Sequence, residues 1–167
     1  SAPSPVTMPP MRELSIRHDL DRAVIGDFAL PLGITPGELT APNQGFTVAY
    51  TEGKDDDPDT YAFHVVASHE RLVPILTRAF DLLPPQVFGI VEIGSRDAYR
   101  SVDVFIGREG IPRGEFLETW MRYRDFLLED GTIAAGANSD EPFIEVFLDQ
   151  WKGISIHVPL AMREQVE

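Results

Sequence analysis

The chain has 167 residues, 43% hydrophobic and 25% charged, which is the composition of one ordinary globular domain. A chain of this length buries enough surface to hold a core without metal or cross-links. Having no cysteine, it excludes disulfides, Cys-ligated zinc, iron–sulfur clusters and thiol nucleophiles. Its 14 basic and 27 acidic residues leave a net charge of −13, which disfavours nucleic acid and anionic membranes as partners and favours a cation or a basic protein.

Residues 1–10, SAPSPVTMPP, lack any apolar period and read as a mobile tail before a single domain spanning 11–167. No apolar run reaches the ~18 residues of a membrane span. The expectation is a cytoplasmic protein, with a removed secretion signal as the alternative. Between 12 and 45, repeated Pro and Gly allow one short strand and then an irregular loop. Phe46–Thr51 and Tyr61–Ala67 follow as strands. Leu72, Ile75, Leu76, Ala79, Phe80 and Leu83 then repeat at helical spacing, with Ser68 as the N-cap and Pro84–Pro85 as the stop. Pro74 fits such a helix only near its first turn.

Val87–Ile93 and Val102–Ile106 alternate as two more strands. A second helix is expected over Gly114–Asp130, with Phe116, Leu117, Trp120, Met121, Leu127 and Leu128 on its apolar side. Gly131 would be its C′ residue and Glu118–Arg122 a favourable i,i+4 pair. Ile133–Ala137, Phe143–Leu148 and Ile154–Val158 close the chain as strands. The order ββαββαβββ has short strand connections and two one-sided helices. It predicts an α+β two-layer sandwich, with one antiparallel sheet and both helices on one face.

Alternation then sorts the strand residues between faces. Setting Ile144, Val146 and Leu148 against Val158, Ile156 and Ile154 places Glu145 opposite His157 on the other face, with Phe147 opposite Ser155. The turn between these strands carries Trp151 and Lys152, and Gly153 would supply its positive φ. Pairing Val91 and Ile93 with Val102 and Val104 places Glu92 opposite Asp103, and Ile90 opposite Phe105. Opposed carboxylates about 5 Å apart repel unless one is protonated or a cation lies between them.

The face away from the helices would therefore mix Glu92, Asp103, Glu145 and His157 with aromatic residues. It is too apolar for an idle solvent face and too charged for a second core. Three uses fit it. The first is a non-enzymatic binding surface for a basic protein, inhibitor-like or immunity-like, contacted through Phe105, Phe147, Trp151 and Lys152. The second is a small acid–base or metal-dependent site in which Glu92, Asp103, Glu145 and His157 are the catalytic candidates. Asp103, Glu145 and His157 would be the ligands of a divalent cation, and no other cofactor is evident. The third is the interface of a homo-oligomer.

Other motifs are weaker. Asp55–Asp59 lacks the spacing of a calcium loop and reads as a solvated hairpin loop. His69–Glu70 begins a zincin-like pattern, but Val73 stands where its second His belongs, so His69 reads as a first-turn surface residue. His64 reads as a structural histidine. There is no G-x-S-x-G, Walker A or G-x-G-x-x-G motif. Gly107–Gly114 precedes a helix and could dock an anion, against the opposing Glu109 and Glu115. Arg96, Arg100, Arg108 and Arg113 form the one basic concentration, suited to an acidic ligand or to the Asp loop of another copy.

Overall fold

The computed structural model describes residues 20–37, 40–94 and 102–167, with only the backbone given for 102–105. The expected tail over residues 1–10, and Arg96 and Arg100, lie outside the described residues. The chain begins with a small hairpin, β1 (Val24–Ile25) and β2 (Phe28–Ala29), turned at Gly26 with φ 61°. The main elements follow: β3 (Gly45–Thr51), β4 (Thr60–Val66), α1 (His69–Phe80), β5 (Gln86–Gly94) and β6 (Val102–Ile106). Next come β7 (Ile111–Pro112), α2 (Arg113–Arg122) and α3 (Arg124–Glu129). The chain then runs through β8 (Ile133–Asp140), β9 (Phe143–Leu148) and β10 (Ile154–Pro159) to a 3-10 turn at Leu160–Met162 and α4 (Arg163–Val166).

The fold is α+β, with one antiparallel sheet and its helices packed on one face, as the alternation predicts. The strand order is β3-β4-β10-β9-β8-β5-β6, with β7 paired to the start of β5. Two hairpins, β3–β4 and β5–β6, thus form the flanks, and the final three-strand meander fills the gap between them. α1 carries the chain across that gap. The last strands in sequence are the centre of the sheet, and β8, β9 and β10 hold most of its fully buried residues: Ala137, Val146, Leu148, Ile154 and Val158.

α1 buries Leu72, Leu76, Ala79 and Phe80, one side of a helix at i, i+4, i+7 and i+8. Pro74 sits in its interior, beyond the first turn, where it removes one backbone hydrogen bond. The second helix is not continuous. It breaks at Tyr123, and with this break Phe116 and Trp120 of α2 and Leu128 of α3 all join the core. Phe80 meets Phe116 and Trp120 edge-on, at centroid distances of 5.2 and 5.5 Å, and this locks α1 against α2.

Three local expectations are corrected. Gly131 is not a left-handed C′ residue. A side chain there would meet the Gly33 carbonyl oxygen at 2.8 Å, and one at Gly33 would meet the Glu129 carbonyl oxygen at 2.5 Å. Both glycines let the N-terminal segment touch the α3–β8 turn. At the β9–β10 turn the positive φ belongs to Lys152 (64°), not to Gly153. Gly153 is needed for space instead, because a Cβ there would lie 2.8 Å from the His64 ring and 2.9 Å from an Asp149 carboxylate oxygen.

The third correction is register. The β9–β10 pairing is as expected, with Glu145 opposite His157 and Phe147 opposite Ser155. β5–β6 is displaced by one residue, so Glu92 pairs with Val104 and Ile93 with Asp103. One residue reverses the faces. The Asp103 position therefore belongs to the opposite face from Glu92, and the Phe105 position, across from Val91, to the opposite face from Phe147. The expectation rested on hiding Val91 and Ile93 under the helices. They do lie on that face, but at 38% and 42% exposure.

Candidate functional site

On the face away from the helices the register lines up Ala62, His157, Glu145, Asn138 and Phe88 across five strands. Glu145 and His157 are both half-buried. Burial raises the Glu145 carboxyl above its usual range; nearby His157 pulls it down, and Glu92 pushes it up again. The two residues face each other directly across the β9–β10 ladder. Asp103 is not their neighbour: β8 and β5 stand between its strand and β9. Among the described residues no three His, Asp or Glu side chains gather in a metal-binding group.

Because protonation favours the folded state at Glu145, stability from this group is present at low pH and lost as pH rises through its elevated pKa. Glu145→Gln is therefore expected to stabilise the protein at neutral pH, with the gain shrinking toward pH 4. Urea unfolding of both proteins at the two pH values measures this. A loss of stability at neutral pH would mean that the His157 attraction outweighs burial.

The middle of this face is closed by packing. The Phe147 ring lies over Gly136, where a Cβ would come within 3.0 Å of the ring and 2.1 Å of the Val146 carbonyl oxygen. Ile90 and Ala134, on the same face, are buried at 5% and 1% exposure. Phe147 is thus partly occupied in covering the sheet. Gly136→Ala is expected to force β8 and β9 apart and cost about 2 kcal/mol in chemical denaturation, in the range of overpacked cores.

The turn between β9 and β10 differs in kind. One Asp149 carboxylate oxygen accepts hydrogen bonds from the Trp151 and Gly153 backbone amides, at 2.8 and 2.9 Å. The Asp149 amide donates to the Gly153 carbonyl, and the Lys152 amide to the Asp149 carbonyl. Lys152 was expected at the surface but is 4% exposed, with its Nζ donating to the Ile133 carbonyl at 2.6 Å. Burial lowers its pKa to about 8, against the pull of Asp130, Asp149 and Glu129. Beside it Trp151 is 79% exposed, the most exposed large hydrophobic side chain among the described residues. Val91 and Ile93 are partly exposed at the same end of the sheet.

Beneath this turn lies a polar cluster that sequence reasoning missed. Glu129 is 7% exposed. Its carboxylate accepts from the Arg22 guanidinium at 2.7 Å and the Leu32 amide at 3.1 Å, and it touches His69 Nε2. Arg22 also donates to the Leu30 carbonyl, and the Gly33 amide to the Glu129 carbonyl. The cluster clasps the N-terminal segment to α3. His69 is therefore half-buried beside the Arg22–Glu129 ion pair, not a surface residue; burial lowers its pKa and so favours the neutral ring. In the sequence Glu129 is simply the first of two acidic residues after Phe126, Leu127 and Leu128, with nothing local to mark it as buried. Ser68, at the N-cap position of α1, makes no cap bond; its hydroxyl binds Glu70 and the Ala29 amide.

Arg113 is committed to the end of α1, donating to the Leu83 and Asp81 carbonyls at 2.6 and 3.3 Å. Glu118 and Arg122 pair as expected, at 3.6 Å on an exposed surface. Among the described residues no helix is long and apolar enough to cross a membrane. The chain matches no protein family, no curated protein and no solved structure.

Proposed function

We propose that this chain is a non-enzymatic binding module that holds a protein partner through the tip of the β9–β10 hairpin. The observation that carries this reading is the exposed Trp151 indole on a turn held rigid by five hydrogen bonds. A turn needs no tryptophan. An aromatic anchor that loses little freedom on binding is what a contact hot spot requires. Val91 and Ile93 extend the apolar contact, and the −13 net charge suits a basic partner, as in inhibitor-like or immunity-like recognition.

Trp151→Ala is expected to leave stability within about 0.5 kcal/mol of the parent. It is expected to weaken partner binding by about 2 kcal/mol, roughly thirtyfold. Affinity capture from a lysate of the source organism with both proteins, followed by titration of the captured protein, tests this. A partner held equally by both proteins would place the contact elsewhere.

A second reading uses Glu145 and His157 as an acid–base pair. Their direct opposition and the raised Glu145 carboxyl support it. A divalent cation at this pair would need further ligands, which the described residues do not gather there.

A further inference from the structure

β3 is the edge of the sheet, with β4 on one side and, among the described residues, no strand on the other. Edge strands are ordinarily protected by charges, Pro, bulges or shortness. β3 has none of these. It is seven residues long, GFTVAYT, with no charged residue in a chain that is 25% charged. Its pairing to β4 is continuous from Gly45 to Thr51. On the helix-side face of this strand Phe46 and Tyr50 stand 53% and 57% exposed. Phe46 borders an open groove of about 650 Å³ lined also by Val65, Ile75, Leu82 and Val166.

The strand is also self-complementary about its centre. In an antiparallel pair with a second β3 placed on a two-fold axis at Val48, Phe46 faces Tyr50 of the other copy, and Thr47 faces Ala49. Aromatic cross-strand pairs are among the favourable ones. The same register sets Glu52 opposite Gln44. The Gln44 side-chain oxygen accepts a hydrogen bond from the exposed Arg71 guanidinium at 2.9 Å. Each copy therefore brings the first acidic residue of its β3–β4 loop to an arginine of the other, twice by symmetry. Two strongly acidic chains thus meet along an edge without charge whose ends attract.

We infer that two copies of this chain pair through their β3 edges, antiparallel about Val48, to form one continuous sheet. This contact is separate from the Trp151 hairpin, so either can fail without the other.

Sedimentation over about a hundredfold range of concentration tests it. The expected mass rises from 18.6 kDa toward twice that value. The double variant Phe46→Lys/Tyr50→Lys, checked for folding by circular dichroism, is expected to stay monomeric. Arg71→Glu should weaken the dimer, and adding Glu52→Arg should restore it. Because the chain has no cysteine, Val48→Cys gives a single thiol that a short thiol–thiol cross-linker should join between copies. A monomer throughout, a dimer that persists in the double-lysine variant, or a Val48→Cys dimer that does not cross-link would each overturn the inference.

Discussion

Replacing Glu129 by Ala is expected to cost about 3–5 kcal/mol of folding stability. The carboxylate is 7% exposed, accepts hydrogen bonds from the Arg22 guanidinium and the Leu32 amide, and abuts the His69 ring. Removing it leaves the Leu32 amide without its acceptor and the half-buried Arg22 charge without its counter-ion, with only the Leu30 carbonyl still accepting from that guanidinium. It also cuts the side-chain link between the N-terminal segment and α3, leaving the Gly33 amide on the Glu129 carbonyl as the remaining backbone tie. Denaturant midpoints report the loss, and hydrogen exchange at Leu32 and Gly33 locates it. Glu129→Gln keeps an acceptor for Leu32 and should lose less. If the alanine variant lost under 1 kcal/mol, the cluster would be a solvated surface pair instead of a clasp.

The second large effect is a pH dependence centred on Lys152. In the folded protein its amine titrates at about 8, against an ordinary 10.5. The unfolded chain therefore binds more protons between these values, and stability from this group rises with pH across that window. The full difference corresponds to about 3 kcal/mol. Lys152→Met keeps the aliphatic stem but cannot titrate. The stability of the wild type relative to this variant should climb by up to about 3 kcal/mol between pH 7 and pH 10.5, whereas Tyr50 and the other alkaline groups cancel in the comparison. A flat difference would mean that the ammonium stays charged, held by Asp130 and Asp149. Because Lys152 adjoins Trp151 and ties the turn to Ile133, the same variant should also loosen the proposed contact tip.

Strands and helices were legible because they follow from periodicity. The alternation of Ile144, Val146 and Leu148 against Ile154, Ile156 and Val158 admits one register, since a slip of one residue would turn three of these apolar side chains out of the core. β5–β6 offered no such constraint. Val91 and Ile93 are apolar yet stay partly exposed, whereas Ile90 on the other face is buried under neighbouring packing. The pattern pointed to a register one residue away from the observed one, and the expected Glu92–Asp103 pair went with it. The Glu145–His157 pair survived because its hairpin is the well-determined one.

The sequence by itself determined the fold class, most strand positions, one hairpin register and the placement of Trp151 at a turn. All of these depend on residues near one another in the chain. Tertiary structure alone decided that the last three strands fill the centre of the sheet, that Lys152 is buried, and that Glu129 gathers Arg22 and His69 across 107 and 60 positions of chain. Strand order and charge clusters depend on which distant surfaces meet. That is settled by the joint packing of all the apolar faces, and no local pattern carries it.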